Sequence, residues 1–131
     1  MKILDSDILI ALLKNDSAAK HAIAMLQSSG ESLATTALTA HEVLAGTVQG
    51  GLGGRRYQTA QLLLRSLPVF VYDLDAVEHT VKLQEELTKL GRPIGVFDEM
   101  ISGISLAHDA TVVTRNLKHF LTVHGLNVET W

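Results

Sequence analysis

Three carboxylates, Asp5, Glu42 and Asp98, stand where local pattern puts the reactive edge of a parallel α/β sheet. Asp5 ends the apolar opening strand Lys2-Ile3-Leu4, Glu42 falls just inside a helix that Thr39 can cap, and Asp98 opens a helix after Gly95-Val96-Phe97. Ligands of open α/β sheets sit beyond the carboxyl ends of the strands, where strand order reverses. Three carboxylates gathered there would form an oxygen cage, which suits Mg²⁺ or Mn²⁺ better than the nitrogen- and sulfur-seeking Zn²⁺. The chemistry such a cage performs is metal-assisted attack on a phosphoester.

Each acid also has a plainer use. Asp5 lies next to a helix start and can cap it. Thr39-x-x-Glu42 has the form of a capping box, and Asp98 near a helix N-terminus is favoured by the helix dipole. Taken singly, capping explains each residue better than catalysis does. Taken together it does not, because three carboxylates reached from one sheet edge repel one another unless a cation neutralises them.

The elements that must carry these residues alternate between strand and helix. Residues 2–5 read as a buried strand and Asp7 to Lys14 as a helix capped by Ser6 or Asp7. Ser17 opens a second helix to Gln27, Leu33 to Thr36 is a short strand, and Thr39 to Val48 is helical. Gly50, Gly51, Gly53 and Gly54 break that helix, because so many glycines together hold too much backbone entropy. A helix follows from Arg55 or Tyr57 to Arg65, then a strand at Val69-Phe70-Val71-Tyr72. Asp75 caps a long helix to Leu90, with Glu78/Lys82 and Glu85/Lys89 paired on its solvated face. The pattern closes with a helix from Asp98 to His108, a strand at Thr111-Val112-Val113-Thr114 and a short helix from Leu117 to Leu121. Strands alternating with helices predict a parallel sheet covered on both faces.

At 131 residues the chain forms one domain, able to bury about two-thirds of its unfolded surface. Hydrophobic residues make up 47% and charged residues 19%, which excludes a disordered tail. The longest apolar run, Ile8 to Leu13, is too short to span a bilayer, and Asp5 interrupts any signal-peptide core, so a soluble, cytoplasmic protein is expected. The absence of cysteine excludes disulfides, a zinc knuckle and a thiol nucleophile. A formal charge of −3 argues against a broad nucleic-acid coat. Local basic groups, Arg55-Arg56, Arg65, Lys89 with Arg92, and Arg115 with Lys118, are either groove-lining or ordinary solvated charges.

Four ordered blocks carry a family resemblance. They are Ile3-Leu4-Asp5-Ser6-Asp7-Ile8-Leu9-Ile10, then Leu38-Thr39-Ala40-His41-Glu42-Val43-Leu44-Ala45-Gly46, then Ile94-Gly95-Val96-Phe97-Asp98-Glu99-Met100-Ile101-Ser102-Gly103, and last Val112-Val113-Thr114-Arg115-Asn116-Leu117-Lys118-His119-Phe120. With the tail Val128-Glu129-Thr130-Trp131, they resemble PIN-domain ribonucleases over almost the whole chain, and most of all the VapC toxins of bacterial toxin–antitoxin modules. The resemblance implies a three-layer α/β/α fold with a central parallel sheet and a Mg²⁺- or Mn²⁺-dependent endoribonuclease. It also implies a VapB-like antitoxin partner, an RNA substrate such as transfer RNA, and a homodimer. It assigns Asp5, Glu42 and Asp98 to the metal site and makes Ser6 a hydroxyl that supports the first of them. Asn116 stands where many PIN domains carry a fourth acid, and His119 where close relatives often have another. The resemblance then implies one tightly held ion and a second recruited by the RNA phosphate. It places the antitoxin peptide in a cleft between helices, where Leu44, Leu52, Leu62 and Leu63 are available if they do not pack in the core.

Other readings remain. A receiver domain fits the length, with Asp73 ending a strand as a phosphoacceptor would, but lacks the Lys that should end the last strand. Asp5-x-Asp7 resembles the start of a haloacid-dehalogenase-type phosphatase, but Leu9 stands where Thr or Val belongs. A PIN domain kept only for binding is a further possibility. Gly50 to Gly54 lacks the Gly-Lys-Ser/Thr ending of a phosphate loop and reads as a connector. His41 diverges from Glu42 on the helix surface and reads as structural or surface, as do His21, His79, His108 and His124.

Overall fold

The fold, taken from a computed structural model, is described for residues 1–131 apart from Gly50. Its strands are β1 (Lys2–Leu4), β2 (Leu33–Thr36), β3 (Val69–Phe70), β4 (Thr111–Val113) and β5 (Asn127–Glu129). Its α-helices are α1 (Ser6–Leu13), α2 (Ser17–Ser28), α3 (Ala37–Ala45), α4 (Arg55–Arg65), α5 (Leu74–Lys89), α6 (Val96–Ala107) and α7 (Leu117–Phe120). All strand pairings are parallel, in the order β3-β2-β1-β4-β5.

Successive strand residues point to opposite faces, and here both faces are apolar. Leu4 and Val113 pack with Ile8, Leu9, Ala19, Val43, Ala60 and Leu64, from α1 to α4. Ile3 packs with Ala76 of α5 and Ile104 of α6, and Val112 with Ile101 of α6 and Phe120 of α7. Helices therefore cover the sheet on both sides, as parallel strands require. The chain runs outward from β1 through β2 to β3, then returns to lay β4 against the free side of β1. The reversal falls between β1 and β4, and Asp5 N donates to Val113 O at 3.2 Å where the two strands end.

Helix starts differ from expectation in ways that matter. Thr36, not Thr39, caps α3, with its hydroxyl oxygen accepting from Thr39 N at 3.0 Å. Asp73, not Asp75, caps α5 by accepting from Ala76 N at 3.0 Å. In both cases the earlier residue is the one left with extended backbone at the strand exit, which is what an N-cap needs. Asp16 caps α2 through Ala19 N. The expected strand at residues 69–72 keeps only Val69–Phe70, and β5 was not foreseen. Glu85 pairs with Lys89 at 2.9 Å, whereas Glu78 and Lys82 are not among the ion pairs of the described residues.

Helices α5 and α6 meet almost backbone to backbone. A methyl group on Gly103 would collide with Thr80 Oγ1 and lie 2.7 Å from the Ala76 carbonyl oxygen. That contact fixes α6, and with it Asp98 in its first turn. No helix among the described residues is long and apolar enough to cross a membrane.

Candidate active site

Asp5 leaves β1 in extended conformation and begins α1. A capping carboxylate ordinarily takes the second or third helical amide. Asp5 takes only the first, Ser6 N, at 2.8 Å, and turns its other oxygen to the Thr114 hydroxyl, which donates at 2.7 Å. The side chain is thus drawn across the mouth between β1 and β4 rather than over the helix end. Asp5 is only 5% exposed. Burial pushes its pKa up to about 6, against the lowering bonds from Thr114 and Ser6, and the charges of Asp7 and Asp98 push it further the same way.

Glu42 is past the first turn of α3, since that helix starts at Ala37. The expected capping box with Thr39 does not exist, which removes the structural explanation for this acid. Glu42 is half-buried. Burial raises its pKa, opposed by the neighbouring Ser6 side chain; Asp98 raises it again and His41 lowers it. Ser6 therefore stands between two acids, donating its amide to Asp5 and lying beside Glu42, whose pKa it lowers.

Asp98 sits in the first turn of α6 behind Gly95, which caps with no side chain. Its Oδ2 accepts from Asn116 Nδ2 at 3.2 Å and lies 2.6 Å from His119 Nδ1. Asn116 precedes α7 but makes no side-chain cap; its amide is spent on Asp98 and lies 3.1 Å from His119 Nδ1. The four expected site residues therefore fall around one mouth, with Asp5 and Asn116 at the β1 and β4 exits and Glu42 and Asp98 close enough for their charges to act on each other.

Sequence reasoning left His119 outside the site, although Asn116-x-x-His119 is a same-face helical spacing that could have included it. It also missed Thr114 and Asp7. Asp7 Oδ2 accepts from Arg115 N at 2.6 Å and faces Thr114 Oγ1 at 3.2 Å, while Oδ1 accepts from Trp131 Nε1 at 2.9 Å. No local signal joins residues so far apart in sequence.

The donor set suits a hard divalent cation, being carboxylate oxygens that repel one another and whose charged forms are disfavoured by burial. Among the described residues, no three His, Asp or Glu side chains are yet drawn together closely enough to grip an ion jointly. Thr114, Ser6, Asn116 and His119 hold the carboxylates individually.

Other expectations sort clearly. Asp73 caps α5 beside β3, an edge strand, so it is not the central phosphoacceptor of a receiver domain. His41 meets the Phe97 ring edge-on at 6.0 Å, and His108 stacks on Phe70 at 4.0 Å. Leu52 and Leu62 are exposed, whereas Leu44 and Leu63 pack against the core. The glycine-rich stretch joins α3 to α4, with Gly50 outside the described residues.

Comparison with known proteins agrees with this fold. The PIN domain family model matches residues 2–124. The tRNA(fMet)-specific endonuclease VapC of Shigella flexneri is 30% identical over 98% of this chain and 96% of that protein. The structure of VapBC-1 from nontypeable Haemophilus influenzae is 28% identical, with a TM-score of 0.81 over 99% of this chain and 97% of that one. That of VapBC2 from Rickettsia felis, bound to a DNA fragment from its promoter, superposes at 0.84 over 99% and 98% with 21% identity, a likeness of fold. With a family match across nearly its whole length and carboxylates at the switch point of its sheet, the chain belongs to the PIN-domain family, in its VapC branch.

Proposed function

We propose that this protein is a Mg²⁺- or Mn²⁺-dependent endoribonuclease, the toxin of a VapBC-type pair, acting on structured RNA such as transfer RNA. The observation that carries the reading is that Asp5, Glu42 and Asp98 act on one another's charge around the β1–β4 mouth, with Glu42 beyond the first turn of α3, where no capping role accounts for it. Asp5, Glu42 and Asp98 would hold the ion, which when bound acidifies a water for attack on phosphorus and offsets charge on the phosphate oxygens. Thr114 and Ser6 fix the Asp5 carboxylate, and Asn116 orients Asp98. His119, whose Nδ1 lies 2.6 Å from Asp98 Oδ2, helps to orient that carboxylate.

The antitoxin reading is supported by the toxin–antitoxin complexes among similar structures, from Haemophilus influenzae and Salmonella typhimurium. A groove of about 730 Å³ between α1, α3 and α4 offers a seat for such a partner. Ile10, Leu13 and Val43 line it with Lys14, Arg55 and Arg56. One further reading, a PIN domain that binds RNA without cutting it, draws on the engagement of Asp98 by Asn116 and His119.

The test is cleavage of transfer RNA by the purified protein with Mg²⁺ and with Mn²⁺, before and after adding a chelator. Internal cuts that stop with the chelator and are suppressed by the neighbouring-gene antitoxin are the expected result. Binding without cleavage under any divalent ion would favour the binding module.

A further inference from the structure

We infer that Trp131 and Asp7 form a clasp that positions the loop between β4 and α7, and through it the Asp5 and Asp98 carboxylates. This rests on the active site proposed above. The loop holds Thr114, Arg115 and Asn116, and each has a task. Thr114 donates its hydroxyl proton to Asp5 Oδ2, and its oxygen accepts from Asn116 N at 2.9 Å. Asn116 extends its amide to Asp98. Arg115 donates its backbone N–H to Asp7.

Asp7 is the second acceptor beside the Thr114 hydroxyl. A hydroxyl has one proton to give, and Thr114 Oγ1 stands 2.7 Å from Asp5 Oδ2 and 3.2 Å from Asp7 Oδ2. The shorter distance gives the proton to Asp5, while the Arg115 amide, at 2.6 Å, is the closer donor to Asp7 Oδ2. The indole N–H of Trp131 holds the other oxygen, Oδ1, and so stops the Asp7 carboxylate from rotating.

Trp131 is itself pinned to the same loop. The Arg115 guanidinium lies 3.5 Å from the ring centroid, and its Nε donates to Trp131 O at 3.1 Å. Stacking and hydrogen bonding together make a closed circuit through Asp7, Arg115 and Trp131. Neither Asp7 nor Trp131 touches substrate in this scheme; both act through Thr114 and Asn116.

Trp131→Phe keeps a ring for Arg115 and removes only the N–H, and Asp7→Asn removes one acceptor from the same bond. Partners of metal ligands typically change activity or affinity by about tenfold to a hundredfold when lost. Trp131→Phe is expected to lower kcat by about that factor at unchanged KM. It should also weaken Mn²⁺ binding measured by calorimetry and speed amide exchange at Arg115, with melting little altered. The double variant should be no worse than Asp7→Asn, since both changes open the same clasp. Wild-type kcat with wild-type Arg115 protection, or losses that multiply in the double variant, would overturn the clasp. Should the wild type cut no RNA, the nuclease reading falls. Arg115 exchange in Trp131→Phe then decides the clasp alone, for it if faster and against it if unchanged.

Discussion

Replacing Asp5 by Asn should abolish cleavage and yet make the metal-free protein more stable. The magnitude follows from the carboxyl group, whose pKa moves from 3.8 to about 6 on folding. At 1.36 kcal/mol per pH unit, holding Asp5 ionised in the fold costs about 3 kcal/mol. Because the folded pKa is raised, this stability is fully present below the unfolded pKa of 3.8 and is lost as pH rises through about 6. Metal-free wild-type protein should therefore weaken between mildly acidic and neutral pH, and the Asn variant should weaken less.

Asn fits the site. Its oxygen can accept from Ser6 N while its amide donates to Thr114 Oγ1, whose proton then turns to Asp7 Oδ2, already 3.2 Å away. Allowing for that rearrangement, a gain of roughly 1–3 kcal/mol above pH 7 remains, or about 4–10 °C in Tm for a domain of this size. Circular-dichroism melts in chelator across this pH range measure it, and repeating them with Mg²⁺ should stabilise the wild type far more than the variant. If Asp5→Asn melts at or below the wild type at neutral pH in chelator, burial of a charge is not what strains this site. If it cleaves RNA normally, Asp5 is no ligand.

Glu42→Gln should cost most of the activity at near-native Tm, because α3 is capped by Thr36 and loses nothing structural; single-turnover cleavage alongside melting checks this. Gly103→Ala should destabilise by about 3 kcal/mol, since the added methyl meets Thr80 and the Ala76 carbonyl, as urea unfolding would register. Asn116→Asp sets a carboxylate against Asp98 and should lower the Mg²⁺ concentration for half-maximal cleavage while weakening the metal-free fold. Asn116→Ala should slow cleavage without unfolding. Identical Mg²⁺ midpoints for Asn and Asp would exclude a second ion held at this position.

The sheet and the three acids were legible because they depend on local signals. Apolar runs such as Val112-Val113 mark strands buried on both faces; Asp5 follows its strand at once, whereas Glu42 and Asp98 are marked by the starts of the helices that carry them. Helix starts were less legible. Thr36 and Thr39 are equally good caps as residues, as are Asp73 and Asp75, and the choice is made by where the preceding strand ends, which packing decides. That ambiguity had a functional cost, since placing the cap at Thr39 gave Glu42 a structural role that it does not have. The contacts of Thr114 with Asp5, and of Asp7 with Trp131, span more than a hundred residues. They exist only because β4 returns beside β1, and nothing near either residue announces them.

The charge arrangement supplies one further reason to expect a cation here. Asp5, Asp7, Glu42 and Asp98 share a region, yet among the ion pairs of the described residues only His119 meets any of them. Arg115 is next in sequence to Thr114, and its guanidinium could have answered the acids. It lies flat on Trp131 instead, and its backbone amide, not its charge, serves Asp7. A fold that needed these carboxylates only for stability would gain by turning that guanidinium inward, because a buried carboxylate paired with Arg is far cheaper than one held by hydroxyls. Directing Arg115 away keeps the mouth negative and open. Burial, with the charges of Asp7 and Asp98 added to it, holds the Asp5 pKa up, and that is the shift that binding of a divalent ion would reverse.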